Sequence, residues 1–174
     1  MGFLLAEEVI SEITYVLQQE LPSKLTQVAA RYNDGVELEV PDSKQYYAPM
    51  TPALMPDMMQ VVYPAVFILD ARAVNEGPED IEDEGAGTAI THQIYVFIAC
   101  QGDVLSGELA KKIRRYALAI AEILMDPSQF DGSLLLTKCT LMQILYDTPL
   151  GQLTPAENAM NVPLEFRVET YESF

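Results

Sequence analysis

The run VVYPAVFILDARAV, residues 61–74, is nearly continuously apolar, and ITHQIYVFIAC, residues 90–100, alternates Ile94, Val96, Ile98 and Cys100 against Gln93, Tyr95, Phe97 and Ala99. Strands built from these runs, placed at about 61–72 and 89–100, must be covered on both sides. Central strands between layers of one chain meet that demand, and so does a sheet packed against a second subunit. The connection between them, NEGPEDIEDEGAGT, reads as an acidic hairpin loop over 75–88. It carries Glu76, Glu79, Asp80, Glu82, Asp83 and Glu84 with no basic residue.

The chain has 174 residues, 49% of them apolar, enough for one sizeable core and hardly two, so 1–174 is read as a single domain. A formal charge of −16 argues against a nucleic-acid binder and against an anionic membrane surface, because phosphate contacts need lysine and arginine. Cys100 and Cys139 fall within strand-like runs, not in a CxxC or a loop framework, and read as small buried hydrophobes of a reducing compartment. Ala6 stands where a myristoylation signal wants Ser or Thr. No basic segment precedes the first apolar run and no window approaches a membrane span, so a soluble, cytosolically made chain is expected.

Ala6, Val9, Ile10, Ile13 and Leu17 recur at helical spacing and predict an amphipathic helix over about 4–20. Pro22 is expected to kink or restart it, with Leu25, Val28, Ala29 and Tyr32 continuing the period and NDG, ending at Gly35, stopping it. Residues 41–60 hold four prolines and four methionines, Met50, Met55, Met58 and Met59. They read equally as an apolar interface arm or as a loop over the chain's own core. A second helix is predicted from Val104 to Met125, with Leu105, Leu109, Ile113, Tyr116, Ile120 and Leu124 inward. Its basic cluster, Lys111, Lys112, Arg114 and Arg115, reads either as a solvated face or as a docking surface for an acidic partner. Two further strands are expected at about 136–147 and 161–172. The last alternates Val162, Leu164, Phe166 and Val168 against Glu165, Arg167 and Glu169, and Pro163 near its start suits a sheet edge. The order predicts an α+β domain, a mostly antiparallel four-stranded sheet with the N-terminal and central helices packed on one face.

Catalytic patterns are absent. The one histidine, His92, stands at the predicted start of a strand and reads as a rim or packing residue, with no GxSxG, Walker A, HExxH or GxGxxG beside it. No catalytic, cofactor or metal residue is assigned, and no enzyme is expected. The carboxylates of 76–84 do not reproduce a calcium-loop spacing, and their ordinary reading is a solvated hairpin tip.

Taken together, the N-terminal helix AEEVISEITYVL, the strand YPAVFI paired with HQIYVFIAC, the helix GELAKKIRRYALAIAEIL and the terminal strand VPLEFRVETYE resemble, in order and size, the tail-terminator or tail-completion proteins of long-tailed bacteriophages and related contractile assemblies. The resemblance implies a structural virion protein that forms a homo-oligomeric ring, usually hexameric, on the last ring of the tail tube and joins tail to head. The implied location is the head-proximal end of the tail, with assembly in the host cytoplasm. Implied partners are the tail tube protein, a neck or head-completion protein, and a sheath protein where the tail contracts. DNA would pass without specific binding. In such a ring the acidic loop would line the channel or meet the basic helix face of a neighbour. Two other readings remain: a head–tail connector of the same assembly, and a small acidic binding module.

Overall fold

The computed structural model describes residues 2–48, 61–79, 87–103, 106–131, 136–146 and 159–173. Helix α1 spans Gly2–Tyr32 and helix α2 spans Glu108–Leu124. The strands are β1, Tyr46–Tyr47; β2, Ala65–Glu79; β3, Gly87–Gln101; β4, Leu136–Ile144; and β5, Ala159–Ser173. They form one five-stranded sheet in the order β1-β2-β3-β5-β4, antiparallel except where β1 runs parallel to β2. The class is α+β as expected, but the sheet is mixed and has five strands, not four.

The additional strand rests on a short device. Asp42 caps a 3-10 turn over Ser43–Gln45 and its backbone N–H donates to the Gln45 side chain, while Gln45 Nε2 donates to the Val62 carbonyl at 3.0 Å. Chain 46–47 is thereby held beside the start of β2, and Tyr47 stacks on Phe67 with ring centroids 4.9 Å apart.

Helix α1 runs through Pro22 without restarting. Proline inside a helix costs about 3 kcal/mol, but Val9, Ile13, Leu17, Leu21, Leu25 and Val28, all at 0–1% exposure, make one stripe on both sides of it. At about 1.5–3 kcal/mol for each buried aliphatic side chain, that stripe outweighs the lost hydrogen bond. Asn33, at φ 44, ends the helix, its N–H bonding the Ala29 carbonyl at 3.0 Å, so the left-handed stop falls two residues before the expected Gly35. Helix α2 begins at Glu108, not Val104, and buries the predicted Leu109, Ile113, Tyr116, Ile120 and Leu124. A Cβ on Gly102 would lie 3.2 Å from the Leu109 Cα, so glycine there lets the end of β3 turn closely under the helix.

Both helices lie over one face of the sheet, where their apolar stripes meet Val66, Ile68, Ile94, Val96, Ile98, Val162, Leu164, Phe166 and Val168 in a single core. The opposite face is buried as well near the start of β2, through Val61, Ala65, Phe67, Leu69, Phe97 and Ala99 with Tyr47, Tyr63 and Tyr95 packed beside them. This is the two-sided covering that the apolar runs demanded.

Two strand expectations are corrected. The hairpin ladder continues to Glu79↔Gly87, so the connection shortens from 75–88 to 80–86. Polar composition had marked 75–79 as loop, yet β5 pairs with β3 along its full length to Gly87↔Ser173 and extends the sheet beneath them. Pro78 is tolerated because a bulge between Asn75 and Pro78 interrupts the pairing there. The other correction concerns β5, which lies between β3 and β4 and is not an edge. The carbonyl of Pro163 accepts from Leu145 N at 3.0 Å, one residue past the end of β4. An extended residue points its N and C=O to the same side, so the missing N–H falls where β4 has ceased to pair.

Candidate functional site

The basic cluster of α2 is largely neutralised within the chain. Arg115, 5% exposed, donates from both Nη atoms to the Asp34 carboxylate, at 2.8 and 2.7 Å, and its guanidinium lies 4.3 Å from the Tyr32 ring centroid. Lys111 Nζ approaches the same carboxylate at 3.2 Å and Lys112 pairs with Glu108 at 3.0 Å. Arg114 points outward over the Tyr146 ring, 6.0 Å from its centroid. Chain beyond the α1 stop thus clamps one end of α2, while Arg31 and Lys24 hold Glu122 at the other, at 2.8 and 3.6 Å.

These contacts hold Asp34 well below the ordinary carboxylate range, chiefly through the Arg115 hydrogen bonds, and Glu122 is lowered chiefly by its hydrogen bond from Arg31. A depressed folded-state value stabilises the fold above the unfolded carboxylate value of about 3.9, and the gain is lost as pH falls from there through the folded value. Asp34→Asn is therefore expected to lower the urea midpoint by a constant amount from pH 7 down to about pH 5, and the offset is expected to narrow as pH falls below about 4 towards the folded value. An offset that widens, or that does not change between pH 5 and pH 2, would contradict this.

Of the acidic residues, Glu76 and Glu79 lie in β2, and Asp80, Glu82, Asp83 and Glu84 lie outside the described residues, as do Met50, Met55, Met58 and Met59. Within one subunit, Glu76 and Glu79 lie towards the hairpin end of β2, while α2 follows the other end of β3, fourteen residue steps or about 46 Å of strand away.

His92 is not at a strand start. It occupies the interior of β3, is 0% exposed, and its Nδ1 lies 2.7 Å from Asp70 Oδ2, with the Asp70 side chain 7% exposed. Asp70 sits at a β-bulge and its Oδ1 also accepts from Arg72 N at 3.2 Å, so one carboxylate ties the bulge to the neighbouring strand. The bulge has a consequence for side-chain direction. Strict alternation after Val66, Ile68 and Asp70 would put Arg72 on the core face, but the extra residue puts Ala73 opposite His92 and turns Arg72 to the helix-free face. His92 Nε2 is buried with no hydrogen-bond partner among the described residues. The packing reading of His92 fits this environment; its pairing with Asp70, twenty-two residues away, carried no local signal.

On the helix-free face, beyond the apolar patch, the sheet turns polar. Arg72 pairs across to Gln93 and Gln93 to Arg167, so three side chains stand in one row over β2, β3 and β5. Gln93 Nε2 donates to Glu165 Oε1 at 2.7 Å, and Gln143 donates to the other Glu165 oxygen. A depression of about 220 Å³ opens here, lined by Arg72, Val74, Thr91, Gln93, Glu165 and Arg167 among others. Sequence reasoning missed this row because its members come from three distant segments.

Burial pushes both thiols, Cys100 and Cys139, up to about 12, which suits packing residues and keeps them protonated at neutral pH. Among the described residues no group of three or more His, Cys, Asp or Glu is arranged to hold a metal ion, and no helix is long and apolar enough to cross a membrane.

No protein-family model matches the chain, and no curated protein does. Among solved structures, it is similar to a chain of the virion of a native gene transfer agent particle, at 12% identity and a TM-score of 0.38 over 90% of this chain and 95% of that one.

Proposed function

We propose that the chain is a structural subunit of a phage-like virion, a tail terminator that closes as a ring on the head-proximal end of the tail tube. The observation that carries this reading is the unlikeness of the subunit's two surfaces. A carboxylate-bearing hairpin extends one end of the sheet, and a helix-free polar face with outward arginines lies on its side. Unlike patches on one subunit suit a heterologous contact, and heterologous contacts close rings. A net charge of −16 suits a channel through which DNA slides without sticking. On this reading the partners are further copies of the chain, the tail tube protein, a neck or head-completion protein and, in a contractile tail, a sheath protein. No residue is given a catalytic role, and no cofactor takes part.

The test is negative-stain microscopy of the purified protein, alone and mixed with tail tubes, together with light scattering. Rings on tube ends are expected. A protein that stays monomeric and also ignores tube ends overturns the reading, and binding to the neck without binding to tubes assigns it to the connector instead.

A further inference from the structure

We infer that the depression on the helix-free face, between Arg72 and Lys138, receives Tyr15 and its flanking carboxylates from helix α1 of a second copy of this chain. The inference rests on the ring reading only for the number of copies; the contact itself is a property of two described surfaces.

Charge selects the face. In a chain of net charge −16, Lys111 and Arg115 share Asp34, Lys112 is held by Glu108, and Lys24 and Arg31 share Glu122. Arg72 and Lys138 are exposed, and neither charged group has a hydrogen-bond or ion-pair partner among the described residues. Both stand on the same side of the sheet. Lys138 pairs in register with Glu169, Glu169 with Thr91 and Thr91 with Val74, so Lys138 lies three strands across and two residues along from Arg72, about 16 Å away. Between them opens the depression of about 220 Å³, whose lining includes Val74, Thr91, Gln93 and the half-exposed Met142. The Glu165 oxygens at its rim already accept from two glutamine amides. Arg167, on the same face, is engaged within the chain and the contact does not draw on it. The face thus presents two uncommitted cations around a partly apolar hollow large enough for one aromatic side chain.

The occupant is chosen by complementarity. On α1 the stripe Val9, Ile13, Leu17 and Leu21 is buried in the core, and Glu8, Glu12 and Tyr15, at i, i+4 and i+7, share the surface turned away from it. Tyr15 is 64% exposed, and Glu8 and Glu12 have no partner among the described residues. A tyrosine flanked by carboxylates matches a hollow flanked by cations. Its ring packs on Val74 and Met142 while its hydroxyl meets the polar Thr91 and Gln93, the amphipathic use that makes tyrosine a frequent interface anchor. Along the helix axis Glu12 and Glu8 lie about 4.5 and 10.5 Å from Tyr15, bracketing the roughly 8 Å from the middle of the depression to either cation. The chain's own Tyr15 cannot make the contact, because α1 lies over the opposite face of the sheet. The knob therefore belongs to another copy. The contact is heterologous, the helical front of one subunit on the bare back of the next, and each copy keeps its second surface for a further neighbour.

The test uses the full chain without tail tubes. Sedimentation velocity over a concentration series at low salt should show self-association that falls with added NaCl. It should weaken at least ~10-fold in Tyr15→Ala and in the pair Arg72→Gln with Lys138→Gln. Circular dichroism establishes that each variant is folded. A face-reversed chain (Arg72→Glu, Lys138→Glu) and a helix-reversed chain (Glu8→Lys, Glu12→Lys) should each fail to associate alone and should associate when mixed, because both contacts are then attractive. For register, Tyr15→Cys and Met142→Cys chains mixed under mild oxidation should give a disulfide-linked dimer. Thr26→Cys, farther along α1, in place of Tyr15→Cys should not, and the oxidised wild-type chain is the blank. Association unchanged by Tyr15→Ala, or reversed chains that do not recover on mixing, overturns the inference. A chain that stays monomeric and gives no cross-link between positions 15 and 142 overturns it even where tube ends are capped. A chain that cross-links there and ignores tube ends overturns the tail-terminator reading and leaves this contact standing.

Discussion

Replacing Asp70 with alanine is expected to lower the stability of the fold by about 2–4 kcal/mol, far more than its single ionisable contact suggests. His92 is fully buried, and its Nε2 already lacks a partner. Removing the carboxylate 2.7 Å from Nδ1 would leave both ring nitrogens unsatisfied in the core and would also take the acceptor from Arg72 N at the bulge. Asp70→Asn should cost less, since an amide oxygen can still accept from an imidazole N–H. The decisive variant is the pair Asp70→Leu with His92→Phe, which removes every orphaned polar atom at once and should recover most of the loss. Urea titration with an unchanged m-value measures all three. If Asp70→Ala costs less than about 0.5 kcal/mol, the pair does not hold the bulge and the account of Arg72's outward turn fails with it.

That site also shows what a sequence can and cannot disclose. The stripes of α1 and α2 and the alternation of β5 were legible because each is set by local periodicity, which burial then confirms at Val9, Ile13, Leu109, Ile120 and Phe166. The two-residue β1 is too short to show any period and exists because Gln45 reaches the Val62 carbonyl. The hairpin was read too short because carboxylates and Pro78 mark loops locally, whereas pairing along β5 decided the matter from eighty residues away. The interior place of β5 is likewise a fact of topology, and Pro163 misled because the end of β4 beside it does what an edge would do. Arg115 is the residue that closer reading would have separated from its cluster. It stands four residues before Ala119 and eight before Ile123, both buried, and it is buried itself, whereas Lys111, one turn earlier on the same stripe, and Arg114 are exposed.

The expected result at Arg115 follows from that inward position. Arg115→Ala should cost about 1–3 kcal/mol, the lower end reflecting an Asp34 side chain that remains one-third exposed and can regain water. Arg115→Lys should restore little of it. Lysine would keep the charge, but a point-like ammonium cannot span both Asp34 oxygens as the fork does at 2.8 and 2.7 Å, nor lie flat over the Tyr32 ring. Lys111→Ala, which removes a half-exposed partner of the same carboxylate, is expected to cost about 0–1 kcal/mol. The contrast separates the docking role considered from the sequence from the clamp that the structure shows. A docking face would respond to total charge, so Arg115→Lys would be silent and Lys111→Ala and Arg115→Ala would weaken association alike without touching the fold. A clamp between the end of α1 and the start of α2 responds to geometry, so the loss appears in the urea midpoint of the isolated chain and follows the order Ala, Lys, wild type at position 115. Equal midpoints for the Lys variant and wild type would return the cluster to the docking reading.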